Sequence, residues 1–412
     1  MLKIIFMLLL IFNFESASAA EINLERERLI CALSSMAAYN DETGDLSRRF
    51  FEARGWKVNK LESPSEKINV KIHFMTLDDA GEITKIFFVT GTEDLKDVGI
   101  DVKIKTVPFN NDEKILVHSG FKDYADVALS EGILEFLVEY IKNHPDEKFY
   151  ITGHSLGGAI SMLIAARLVD AGADMTKIKV VTFGAPAVGN KNFAEFYQDK
   201  INLTRVVMDS DPVDVSLKLF GYAHFGEVVT YKQIESSTQY SHSMALYLDS
   251  ALRNFYDAGQ EMFSKNKIET PLYIVPVKIV QKSFKPLNEN YIKSILRDGY
   301  KSRFSNITFN EPPFEEIKKA ENFSYSVREY LDAAKTSGSK FIIAPLIHTK
   351  SVRESKENAT RVLFEEVIFD AKGNLISMNT SGMTTLSVTI LGAAFFGQEF
   401  LREDRENTLS VN

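Results

Sequence analysis

One pentapeptide, Gly153-His154-Ser155-Leu156-Gly157, constrains the fold more than any other stretch because of what flanks it. Lys148-Phe149-Tyr150-Ile151-Thr152 reads as a short buried strand, and residues Ala159 to Ala166 read as the helix that follows. Ser155 is therefore expected at a sharp strand-to-helix turn. Such a turn brings the backbone on either side of the serine together, so glycine at 153 and 157 removes side chains that would collide. Gly158 and Ala159 let the helix pack closely on the sheet. A serine presented in this way is a candidate nucleophile.

A serine hydroxyl becomes a useful nucleophile only when a histidine takes its proton, and that imidazole needs a carboxylate to hold its tautomer. In chains of this strand-turn-helix type the acid follows the serine and the histidine comes last, each at the C-terminal edge of the sheet. Residues Arg205 to Val213 place Asp209 and Asp211 where the next strand ends, with Asp214 just beyond. Asp211 is the first choice, since Pro212 stiffens the departing loop, and Asp209 and Asp214 are its rivals. Of seven histidines, His73, His118, His144 and His154 precede Ser155 and His348 lies in the second domain, which leaves His224 and His242. His242 is preferred because it sits in a loop just before a helix, whereas His224 precedes an apolar strand and reads as a packed or surface histidine. His154 is expected to point away from the pocket, because side chains alternate along a strand.

At 412 residues, 45% of them hydrophobic, the chain exceeds a usual single core, and two domains are expected. A net charge of -8 argues against a nucleic-acid partner held on a basic surface. Lys3, the apolar run Ile4 to Phe12 and the small residues Ala17-Ser18-Ala19 form a secretory leader pattern over residues 1–20, with cleavage near Ala19 or Ala20. A secreted, periplasmic or envelope location follows. Cys31 is the sole cysteine, which excludes an internal disulfide, and it reads as a buried helix residue.

The first domain is expected over residues 21–263. It contains a helix from Leu24 to Ala38, paired strands at Ile68 to Thr76 and Ile83 to Val89, and a helix ending at Asn143-His144-Pro145. Strands at Lys177 to Phe183 and Leu203 to Met208 alternate with a helix near Asn192 to Asp199, a βαβ rhythm that implies a mostly parallel sheet. A helix from Met244 to Met262 closes the unit, and residues 264–270 read as a linker. A smaller α/β domain, residues 271–412, follows with strands at Leu272 to Gln281, Ile307 to Asn310, Phe341 to Lys350, Arg361 to Phe369 and Leu375 to Thr380. Helices are expected at Asn288 to Phe304 and Phe314 to Lys335, and a hairpin turn at Asp370 to Asn374. Leu386 to Phe396 is too short to span a membrane and reads as a buried element.

Five blocks of the first domain resemble the class 3 lipase family, the fungal-type lipases and their bacterial relatives. They are Phe88-Val89-Thr90-Gly91-Thr92, Val117-His118-Ser119-Gly120-Phe121, Thr152 to Ala159, Val181 to Asn190, and Asp211-Pro212-Val213. The resemblance covers about Leu24 to Met262. It implies an α/β hydrolase fold, Ser155 as nucleophile, Asp211 as acid, His242 as base, and an oxyanion hole from the backbone N–H of Leu156 together with Thr92. The family often carries arginine where this chain has Thr90, which questions the anchoring of that loop. Its lid corresponds to Glu93 to Pro108, where Leu95, Val98, Ile100 and Val102 give an apolar side among many charges. The second domain is similar at pattern level only to the small domains of envelope proteins such as TolB and CsgG, which licenses no chemistry.

The expectation is an exported serine ester hydrolase acting on acylglycerol or phospholipid esters, with no metal or organic cofactor implied. Its expected partners are the lipid or acyl ester substrate and a peripheral membrane or envelope contact, with no nucleic acid. An esterase or phospholipase A for another acyl ester, and a catalytically silent envelope binding protein, are the competing readings.

Overall fold

The computed structural model describes residues 24–61, 72–79, 82–90, 105–130, 132–233, 241–262, 267–283, 288–310, 318–319, 326–354, 357–385 and 388–411. The leader pattern, Thr92 and most of the expected lid segment lie outside these residues. The chain divides into two compact units that meet between Ala258 and Gly259.

The first unit opens with a helix over residues 24–37 and a second helix, Glu42–Glu52, which the sequence reading did not anticipate. Its strands are β1 (Lys57–Leu61), β2 (Ile72–Asp79), β3 (Glu82–Val89), β4 (Thr106–Pro108), β5 (Leu116–His118), β6 (Lys148–His154), β7 (Ile178–Phe183), β8 (Gly189–Asn190), β9 (Asn202–Met208), β10 (Tyr222–Ala223) and β11 (Glu227–Tyr231). The main sheet runs β1-β2-β3-β6-β7-β9-β11. From β3 onward every pairing is parallel, and β1 and β2 add an antiparallel edge. A small antiparallel sheet, β10-β8-β5-β4, stands beside it.

Parallel strands are covered on both faces, so their sequences are continuous apolar runs without alternation. In β6 and β9 every residue after the first is buried, the polar Thr152, His154, Thr204 and Arg205 included. The helix Leu156–Asp170 is buried nearly all round, and Leu163, Ile164, Ala165 and Ala166 have no exposed surface. Each such leucine or isoleucine contributes about 1.5–3 kcal/mol by leaving water. Cys31 is buried in the first helix, where loss of water pushes its thiol pKa up.

The helix expected to end at Asn143-His144-Pro145 does so, and a break in the chain precedes it. Leu129 caps the helix Ser119–Ala128, Gly132 turns with a φ of 84°, and the next helix is Ile133–Asn143. The closing helix runs only Met244–Asp257, so residues 258–262 are not helical as expected.

The second unit contains β12 (Leu272–Ile274), β13 (Lys278–Lys282), β14 (Ile307–Phe309), β15 (Lys318–Lys319), β16 (Phe341–Glu354), β17 (Glu357–Asp370) and β18 (Leu375–Thr384). The expected single strand Leu272 to Gln281 is two pieces, β12 and β13, separated around Pro276 and both parallel to β16. Within the helix expected over Phe314 to Lys335, Lys318–Lys319 is instead a strand beside β13, and the described helical part is Arg328 to Thr336. The Leu386 to Phe396 stretch enters a long helix, Ile390–Val411. That helix carries Arg405, which holds Glu366 of β17 through two 2.7 Å hydrogen bonds with no solvent exposure of either side chain. Of the expected linker, Ile268 already belongs to this unit, since its N–H donates to Arg303 O at 2.7 Å. No helix among the described residues is long and apolar enough to cross a membrane.

Candidate active site

Ser155 is the one non-glycine residue with positive φ among the described residues, at φ 56° and ψ -125°. A side chain in that region is strained, and such strain persists only where neighbours over-determine it. The neighbours here are visible. Ser155 N–H donates to Phe183 O at 2.9 Å, fastening the turn to β7. A Cβ on Gly153 would lie 2.4 Å from Gly157 C, and one on Gly158 would lie 2.8 Å from Ala185 Cβ. Both glycines are therefore demanded by close approach.

The turn delivers Ser155 Oγ to 2.7 Å from Nε2 of His242, and Nδ1 of His242 lies 2.7 Å from Oδ2 of Asp211. All three side chains are buried. A carboxylate can only accept, so Nδ1 carries the imidazole proton and Nε2 presents its lone pair to the serine hydroxyl. This is the protonation state in which the imidazole can act as a base toward Ser155.

Asp211 is itself held by two further donors. The Val213 N–H reaches Oδ1 at 2.9 Å, and the Tyr247 hydroxyl reaches Oδ2 at 2.6 Å while accepting the Met208 N–H at 3.0 Å. Burial and the adjacent Asp211 carboxylate push the Tyr247 pKa up, so it remains a hydrogen-bond donor at neutral pH. Gly184, with φ 54°, passes directly beside this network: a Cβ there would sit 2.7 Å from Asp211 Oδ2, 2.9 Å from Tyr247 Oη and 3.1 Å from His242 Cε1. Neither Tyr247 nor the need for glycine at 184 followed from the local sequence. The available signal was a tyrosine in the apolar first turns, Met244 to Leu248, of the helix shortly after His242.

The rival residues are placed elsewhere. Asp209 is exposed and accepts the Gln233 N–H at 3.4 Å. Asp214 pairs with Arg205 and with Lys218 Nζ at 3.3 Å, and its main-chain oxygen accepts from His224 Nε2 at 2.7 Å. Burial, followed by the nearby Arg205 charge, lowers the His224 pKa to about 4. His154 was expected to point away from the pocket. It is buried, with its ring 4.7 Å from that of His242 and Nε2 2.8 Å from the His242 carbonyl oxygen.

Leu156 opens the helix that follows the turn, so its N–H has no intrahelical acceptor and sits at the positive end of the helix dipole. Thr92, the other expected oxyanion donor, lies outside the described residues. The chain leading to it is anchored despite the missing arginine, because Thr90 Oγ1 donates to Ala38 O at 2.9 Å.

Residues 86–217 match the model of the class 3 lipase family. The chain is 31% identical over 163 residues to the chloroplastic phospholipase A1 PLIP1 of Arabidopsis thaliana, an alignment covering 37% of this chain and 25% of that protein. It is 37% identical over 112 residues to the secreted mono- and diacylglycerol lipase 1 of Fusarium solani, covering 26% and 32% respectively. It is also 31% identical over 121 residues to the lipase of Rhizomucor miehei, covering 27% and 31%. The chain thus spans a quarter to a third of the length of these relatives. Among solved structures, lipase II from Rhizopus niveus aligns with a TM-score of 0.44 and 22% identity, over 52% of this chain and 82% of that one.

Proposed function

We propose that this chain, whose residues 86–217 match the class 3 lipase family, hydrolyses acylglycerol or phospholipid esters through an acyl-enzyme on Ser155. The observation that carries the reading is the line Asp211, His242, Ser155, joined by two 2.7 Å hydrogen bonds and ending on a serine in a strained turn. In the first step Ser155 Oγ attacks the ester carbonyl as its proton moves to His242 Nε2. The imidazolium that forms is stabilised by Asp211, whose charge is held in place by Tyr247 and Val213. The tetrahedral oxyanion is received by the Leu156 N–H and by Thr92. His242 then returns the proton to the departing alcohol, and water enters by the same route in reverse to release the fatty acid.

Export is supported by the leader pattern around Lys3, Ile4 to Phe12 and Ala17-Ser18-Ala19. The second unit contributes none of the proposed catalytic groups, and a role in envelope or membrane contact is proposed for it. The names of the relatives span phospholipids and glycerides, so the head group is decided by assay. Purified full-length protein is offered p-nitrophenyl esters of increasing chain length, mono-, di- and triacylglycerols, and phospholipids. Hydrolysis abolished by Ser155→Ala supports the reading. No hydrolysis of any ester supports a silent binding protein instead.

A further inference from the structure

We propose that His154 is a positioning residue for the base, a neutral imidazole that clamps the main chain of His242 so that its ring meets Ser155 and Asp211 together. The inference rests on the serine hydrolase reading of the site. His154 is the residue before the nucleophile, and its buried side chain reaches past the turn to two partners. Nε2 lies 2.8 Å from the His242 carbonyl oxygen, and Nδ1 lies 2.5 Å from the Tyr39 hydroxyl.

Hydrogen-bond chemistry leaves one proton assignment. A carbonyl oxygen can only accept, so Nε2 of His154 carries the proton. Nδ1 is then a lone pair, and Tyr39 must donate to it. The chain Tyr39 O–H to His154 Nδ1, then His154 Nε2–H to His242 O, runs in one direction and is complete. Burial, with the neighbouring His242, holds the His154 pKa well below its ordinary value, so the ring stays neutral beside an imidazole that must become charged during the reaction.

The far end of this chain is unusually well fixed. The Arg48 guanidinium donates to the Ala37 and Tyr39 carbonyls. A Cβ on Gly44 would overlap Tyr39 O at 1.8 Å, so glycine is required for that loop to close on Tyr39. Ser35 Oγ and Thr152 Oγ1, 2.9 Å apart, tie the same helix to β6. The first helix therefore acts as a fixed post, and His154 transmits its position to the loop that carries the base.

The test uses the full-length protein and a soluble short-chain ester. His154→Leu, which removes the donor to His242 O, should lower kcat about 100-fold with KM within about twofold, because the damage falls on the aligned transition state. His154→Gln keeps an amide N–H at the Nε2 position and should restore kcat to within about fivefold of wild type. Tyr39→Phe deletes a single oxygen and should lower kcat about tenfold in the wild-type background but less than twofold in His154→Gln, which has no Nδ1 to orient. In proton NMR, the low-field Nδ1–H signal of His242 should persist in wild type and His154→Gln and shift upfield in His154→Leu. Wild-type rates in both His154→Leu and Tyr39→Phe, or equal losses from Tyr39→Phe in the two backgrounds, overturn the inference. Wild-type protein that hydrolyses no ester removes the underlying reading instead, and the inference with it.

Discussion

Gly184→Ala is the perturbation whose effect the structure specifies most closely. The added methyl would stand 2.7 Å from Asp211 Oδ2, 2.9 Å from Tyr247 Oη and 3.1 Å from His242 Cε1, all closer than an ordinary contact of 3.4 Å. The three atoms belong to one network, so none can retreat without lengthening a bond to another. Relief to an ordinary contact requires Asp211 Oδ2 to move by about 0.7 Å, and displacements near 1 Å in a catalytic array cost about 100-fold. The expected loss in kcat is therefore about 10- to 100-fold, or roughly 1.4–2.7 kcal/mol of transition-state stabilisation. Alanine at φ 54° also strains the backbone by about 1–2 kcal/mol. Gly172→Ala separates the two effects, since Gly172 has φ 81° and nothing within 4 Å of its Cβ position. It should lose the same 1–2 kcal/mol of stability in urea unfolding with unchanged kcat. A Gly184→Ala protein with wild-type kcat on a soluble p-nitrophenyl ester would refute the reasoning.

Asp211→Asn should lower kcat about 10⁴-fold because His242 loses the partner that sets its tautomer, while Asp209→Asn stays near wild-type rate; a crippled Asp209→Asn with a mild Asp211→Asn would reverse the assignment. Thr92→Val should lower kcat about 10²- to 10³-fold with little change in KM if its hydroxyl receives the oxyanion, and a full-rate variant would leave only backbone donors. His118, His154 and His224 all have folded-state pKa values below the ordinary 6.5, the last at about 4. The unfolded chain therefore takes up protons that the folded chain refuses, so their stabilisation is present above pH 6.5 and is lost as pH falls toward 4. Urea midpoints should drop between pH 7 and pH 5, and His224→Gln should flatten part of that drop; a midpoint that rises on acidification contradicts the assignment.

What could be read from the sequence followed from local rules. Gly153 and Gly157 report a turn whose closeness is a property of a few adjacent residues, and the structure shows that closeness as a 2.4 Å conflict for any Cβ at 153. Asp211 and His242 could be proposed because strand ends in a parallel sheet converge on one edge. What stayed hidden was contact between distant segments. Gly184 is glycine because of Asp211, Tyr247 and His242, and no pattern around residue 184 contains that information. His154 was assigned by strand alternation, a rule that gives the side of a sheet but not what comes to meet it, which is Tyr39 from the first helix. The same limit explains the second unit. A lysine pair at 318 and 319 pairs as a strand with β13, against its helical surroundings in sequence, because parallel pairing is chosen by a neighbour far along the chain.

The central claim, that Ser155 is activated by His242, is tested most directly by reacting the full-length protein with a fluorophosphonate probe and locating the adduct by mass spectrometry. Stoichiometric labelling at Ser155 that slows by about 10³-fold or more in His242→Ala, with the fold retained, is the predicted result. Labelling at another serine, or labelling of Ser155 at the same rate with and without His242, would contradict it.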